Sequence, residues 1–116
     1  MGKQVKFGIF IKKRKMDYTS FNYTLDMGAP PEDYSPELKA LWWERKNYWD
    51  TAHKIIQHLP GKDAAWVHAY LHRKEGDIDN ASHWYSKAGR SFCEKDINDE
   101  FRDIISVLME KYSSES

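Results

Sequence analysis

The sequence has few cysteines and no long apolar run, so it offers little for covalent cross-linking or for spanning a membrane. It contains one cysteine, Cys93, which excludes an intramolecular disulfide and a multi-cysteine zinc site. A reducing, cytoplasmic setting fits this composition. No apolar run approaches the roughly 20 residues of a membrane-spanning helix, so we expect no membrane association. Aromatic residues are abundant, at 15% of 116 residues, which is enough to fill the core of one domain.

The charge balance is neutral overall but divided along the chain. Residues 1–15 contain six Lys and Arg residues and no acidic residue, so all 18 Asp and Glu residues lie in the remainder. This acidic remainder argues against nucleic acid as a partner. We predict a disordered basic extension over 1–15, upstream of a single helical-repeat domain over 16–116. An ordered strand or helix and a functional basic tag ("KKRK") stay open as alternatives, as does a natural start at Met16.

Hydrophobic periodicity predicts an all-α fold built from two stacked helix-turn-helix hairpins, at about 36–59 and 63–88. Ser35 is the expected N-cap of the first helix, because Pro36 suits the first helical position. Asn47 tolerates the left-handed conformation that a turn needs, and Gly76 has the same property as a C-cap. A helix at about 95–112 closes the stack, with an apolar stripe of Phe101, Ile104, Ile105, Leu108, Met109 and Tyr112.

The two hairpins are near-copies of each other. Aligning Ala52 with Ala81 also places Asn47 on Gly76. The second copy resembles a tetratricopeptide-type repeat in its small residues, its Gly-Asp turn and its aromatic pair, namely Ala69, Gly76-Asp77, Ala81, Trp84-Tyr85 and Lys87-Ala88. Residues 35–90 also resemble a set of short, mainly bacterial proteins without an assigned activity. The resemblance implies a stand-alone helical protein and does not imply a reaction.

Stacked hairpins leave a groove, and its candidate lining residues favour a protein or peptide partner. Exposed aromatic rings beside Arg and Lys are typical of peptide-binding hot spots. We therefore predict a protein-interaction module with no cofactor, and we assign no catalytic residue. The alternative is that these rings pack on the N-terminal segment, in which case the chain could still form a homo-oligomer. The predicted partner-binding residues are Trp43, Lys46, Trp66, Tyr70 and Arg73.

A pair of histidines supports the competing hypothesis of a metal-binding protein or a small metal-dependent enzyme. His68 and His72 are four residues apart, so they share one helix face and could bind one ion. A third ligand would come from His53 or His83. The metalloprotease motif is absent, because Ala69 stands where a Glu would follow the first His. From the sequence alone, hydrogen-bonded histidines at the edge of the core are the preferred interpretation.

Overall fold

A computed structural model describes residues 17–115, and within this range the regular secondary structure is entirely helical. The predicted all-α class is therefore confirmed. The basic extension over 1–15 lies outside the described residues. Six α-helices are present in the described range, together with a 3-10 turn at Thr24–Asp26. They are α1 (Tyr18–Tyr23), α2 (Pro36–Arg45), α3 (Trp49–Ile56), α4 (Lys62–Glu75), α5 (Ile78–Ala88) and α6 (Ile97–Glu115).

The two predicted hairpins are formed by α2 with α3 and by α4 with α5. The Ser35 hydroxyl accepts a hydrogen bond from the backbone N–H of Leu38 at 3.2 Å, as expected of an N-cap. Asn47 has a φ of 74° and Gly76 has a φ of 91°, so both turns use the left-handed conformation. Ala52 and Ala81 are both fully buried. The equivalent positions of the two hairpins thus have matching backbone and burial.

The N-terminal part of the described chain contains a helix that the sequence analysis did not assign. This helix, α1, occupies Tyr18–Tyr23. Asp17 caps this helix by accepting a hydrogen bond from the Ser20 N–H. Phe21 is fully buried, and its ring packs 5.9 Å from that of Phe101, centroid to centroid. A short helix with one apolar anchor is stable here because α6 covers it.

Helix α4 lies at the centre of the molecule. It packs on α5, α3, α2 and α6, and every residue from Ala64 to His72 is buried. Such a helix has no exposed face along this stretch. Helix α6 covers α1, α2 and α4 with its apolar stripe. No helix within residues 17–115 combines the length and the apolarity needed to cross a bilayer.

Candidate functional site

Three histidine side chains converge between the two hairpins, and we call His53, His68 and His72 the histidine cluster. His53 lies on α3, and the other two lie one turn apart on α4. One ring nitrogen from each lies within 4.8 Å of the others. The Nε2 atoms of His53 and His68 are 3.1 Å apart. The cluster therefore includes the i, i+4 pair that the sequence pattern indicated, and it takes His53 as the third member.

His83, the other candidate third ligand, lies outside the cluster. It is exposed on α5, and its ring meets the Trp84 ring edge to face at 5.2 Å between centroids. Its neighbour on α5, Trp84, stacks on His68 and so occupies the side of the cluster that faces α5. The choice between the two candidate histidines thus follows from the packing of α3 on α4.

Two tryptophans hold the imidazoles in place. The Trp49 ring stacks on His53 with a centroid separation of 4.9 Å, and the Trp84 ring stacks on His68 at 3.9 Å. The Trp49 indole N–H also donates a hydrogen bond of 2.8 Å to the Leu71 carbonyl, which fixes the plane of the indole. His68 is 4% exposed and His72 is 6% exposed. Two of the three imidazoles are thus shielded from water, and indole rings pack on His53 and His68.

A carboxylate orients the third ring. The Nδ1 atom of His72 lies 2.8 Å from the Glu75 carboxylate. A carboxylate only accepts hydrogen bonds, so Nδ1 carries a proton and a metal ion would bind this ring through Nε2. Asp77 contributes a further carboxylate oxygen within 4.8 Å of a ring nitrogen of His72 and of the Glu75 carboxylate. A histidine held by a carboxylate in this way is the usual arrangement around protein-bound zinc.

Burial favours the uncharged form of His68 and His53, because it lowers the pKa of both rings. Removal from water, together with smaller effects of the nearby His72 and His53 rings, lowers the pKa of His68 to about 3. Burial is also the main cause of the lowered pKa of His53, and His72 adds to it. Neutral imidazole is the form that binds metal ions, because its unprotonated nitrogen supplies the lone pair.

Two of the predicted partner-binding residues are inside the protein, which corrects our expectation that they line an exposed groove. Tyr70 is fully buried and its hydroxyl donates to Glu44 Oε1 at 3.2 Å. Trp66 is 5% exposed and its indole N–H donates to Glu100 Oε2 at 3.1 Å. Both rings lie on the central helix α4, where neighbours on all sides cover them. Periodicity alone could not show that this helix is enclosed.

The other three predicted partner-binding residues are more accessible, but each has contacts within the chain. Trp43 is half-buried against neighbouring rings on its own hairpin. The Lys46 ammonium donates to the Leu25 carbonyl at 2.8 Å. Arg73 forms an ion pair of 2.8 Å with Glu100. The N-terminal segment therefore uses part of the surface that a peptide was expected to use.

Two buried carboxylates were missed from the sequence. Glu44 is 2% exposed and Glu100 is 1% exposed. Glu44 accepts hydrogen bonds from Tyr70 and Lys74, and Glu100 accepts them from Trp66, Tyr85 and Arg73. Their spacing offered a signal, because Glu44 is three residues after Leu41 and Glu100 is four before Ile104. Both therefore lie on the apolar stripe of their helix.

Comparisons with protein-family models, with curated proteins and with solved structures find no match for this chain. The functional interpretation therefore depends on the geometry of the site itself.

Proposed function

We propose that this protein binds a transition-metal ion of the zinc type through the histidine cluster. The observation that carries the proposal is the convergence of three ring nitrogens within 4.8 Å. Around a tetrahedral zinc with Zn–N bonds of about 2.0–2.1 Å, ligand nitrogens are roughly 3.3 Å apart. The 3.1 Å between the Nε2 atoms of His53 and His68 is close to that separation. Small ring rotations would bring His72 to the same centre.

The chemistry of the ligands supports ions such as Zn²⁺, Ni²⁺ and Cu²⁺ over Mg²⁺ and Ca²⁺. Imidazole nitrogens are ligands of intermediate softness, whereas magnesium and calcium require oxygen ligands. The Glu75 carboxylate makes the His72 ring a better electron donor through the hydrogen bond to Nδ1. A set of three histidines leaves one tetrahedral position for a water molecule or another ligand.

A metal ion at this site would also join the two hairpins. His53 belongs to the first hairpin, while His68 and His72 belong to the second. An ion bound by all three favours the folded arrangement over the unfolded chain, which does not hold the ligands together. We therefore expect metal binding to stabilise the fold.

Peptide binding is a weaker proposal for this chain. Its candidate groove residues include Trp66 and Tyr70, whose side chains are buried. Lys46 and Arg73 would have to exchange contacts within the chain for contacts with a partner. A pull-down that a Trp43→Ala, Lys46→Ala double variant abolishes would favour peptide binding over metal binding.

The decisive experiment is calorimetric titration of the untagged full chain with Zn²⁺. We expect one ion per chain. His68→Gln should weaken binding by more than about 100-fold, because losing a ligand costs more than the roughly 10- to 100-fold loss expected for Glu75→Gln. His58→Gln is the matched control, since His58 is exposed near the end of α3 and lies outside the cluster. Absence of stoichiometric binding, or an equal loss in His58→Gln, would refute the proposal.

A further inference from the structure

A second candidate site lies where α4, α5 and the start of α6 meet the linker over 89–96. It is a cavity of about 360 Å³, which we call the Arg90 cavity. Trp66, Tyr85 and Glu100 form its buried floor, and Arg90, Ser91 and Lys95 of the linker form its rim. This volume is at the lower end of the roughly 300–1,000 Å³ range of small-molecule sites. The size suits a small organic ligand.

Every other charge in the cavity is already neutralised. Glu100 pairs with Arg73 at 2.8 Å, and it also accepts hydrogen bonds from Trp66 and Tyr85. Lys95 pairs with Asp103 at 2.7 Å. Among the described residues, Arg90 has no carboxylate within ion-pair distance. When Arg73 is counted with the cavity residues, because it neutralises Glu100, one positive charge is left unpaired, and this charge lies on the Arg90 guanidinium.

The Arg90 side chain is held in position by an aromatic platform. Its guanidinium carbon lies 3.3 Å from the centroid of the Trp66 ring. The Trp66 ring cannot easily turn, because its indole N–H is bonded to the buried Glu100 carboxylate at 3.1 Å. Stacking leaves the edge of the guanidinium free, and its N–H groups match the geometry of a carboxylate or a phosphate. Such pre-positioning reduces the entropy lost when an anion binds.

We propose that the Arg90 cavity binds a small organic oxyanion, with the stacked Arg90 guanidinium as the anchor for its carboxylate or phosphate group. The Ser91 hydroxyl on the rim can donate a further hydrogen bond to the same group. Cys93 and the Trp66 ring, which also line the cavity, can contribute apolar surface for the remainder of the ligand. This site uses different residues from the histidine cluster and does not depend on a metal ion.

The test is calorimetric titration of the full chain with three probes, namely succinate, benzoate and inorganic phosphate, at fixed ionic strength. We expect saturable binding of at least one probe. The ranking of the carboxylates against phosphate identifies which oxyanion the site prefers. Arg90→Gln should weaken that binding by at least about tenfold, as expected for the loss of a charge-assisted bidentate contact. Arg90→Lys should give an intermediate loss, because lysine keeps the charge but not the planar fork.

Two control variants exclude other sources of the binding. Arg102→Gln removes an arginine whose guanidinium lies 4.6 Å from the centroid of the Tyr18 ring, outside the cavity, and should leave the affinity unchanged. His68→Gln should also leave it unchanged, which separates the Arg90 cavity from an anion bound to a metal ion. No saturable binding of any probe, or equal affinity in Arg90→Gln and the native chain, would overturn the proposal. Loss of binding in His68→Gln would overturn it as well.

Discussion

Replacing the buried Glu100 by glutamine should destabilise the fold strongly, although the two side chains have nearly the same shape. Glu100 accepts hydrogen bonds on Oε2 from Trp66 at 3.1 Å and Tyr85 at 2.6 Å, and on Oε1 from Arg73 at 2.8 Å. A glutamine has only one acceptor oxygen, so its NH₂ group must face donors on one side. It also leaves the Arg73 guanidinium without its counter-charge. Breaking a buried ion pair on one side typically costs about 3–5 kcal/mol.

The measurement is equilibrium unfolding in urea. With a slope of about 1–2 kcal/mol per molar for a chain of this size, the midpoint of Glu100→Gln should fall by about 1.5 M or more. Tyr85→Phe removes one donor to the charged group and should cost about 1.5–3 kcal/mol. Glu94→Gln is the control, because Glu94 is exposed in the adjoining linker. A loss below about 1 kcal/mol for Glu100→Gln would show that Glu100 is not a charged acceptor in the folded protein.

Three further outcomes follow from the fold. Phe21→Ala should cost about 3–5 kcal/mol in urea unfolding because the ring is fully buried, whereas Tyr23→Ala, at a position 77% exposed, should cost little; equal effects would contradict the packing of α1. Asn47→Ala should cost about 1 kcal/mol and Asn47→Gly should not, because only glycine relieves a φ of 74°; thermal unfolding distinguishes them. In metal-free protein, the stability of the fold should fall as the pH drops below about 6.5, the pKa of a histidine in the unfolded chain. The pKa of His68 in the folded protein is about 3, so below pH 6.5 the unfolded chain binds a proton that the folded protein does not. The loss should approach about 1.4 kcal/mol per pH unit, and a His68→Gln variant with the same pH profile of stability would contradict it.

The hairpins could be predicted from the sequence because local signals specify them. Ser35 and Gly76 mark helix ends through hydrogen bonding and backbone freedom that depend only on neighbouring residues. Asn47 was recognised in the same way. Helix α1 was missed because its apolar residues are few, and its stability comes from the contact of Phe21 with Phe101, 80 residues further along the chain.

Only part of the histidine cluster could be identified from the sequence. The spacing of His68 and His72 placed them on one helix face, which the structure confirms. The choice of His53 over His83 required the packing of α3 against α4. The error at Trp66 and Tyr70 has the same origin, because helical spacing identifies faces but not which of them a neighbour covers.

By itself, then, the sequence determined the all-α class, the two left-handed turns and the shared helix face of His68 and His72. These features depend on interactions within a few residues, for which spacing and residue type are sufficient. Tertiary structure alone decided which helix is enclosed, which histidine completes the cluster and which carboxylates are buried. Each of these depends on contacts between distant segments, and their geometry is set by how whole helices pack together.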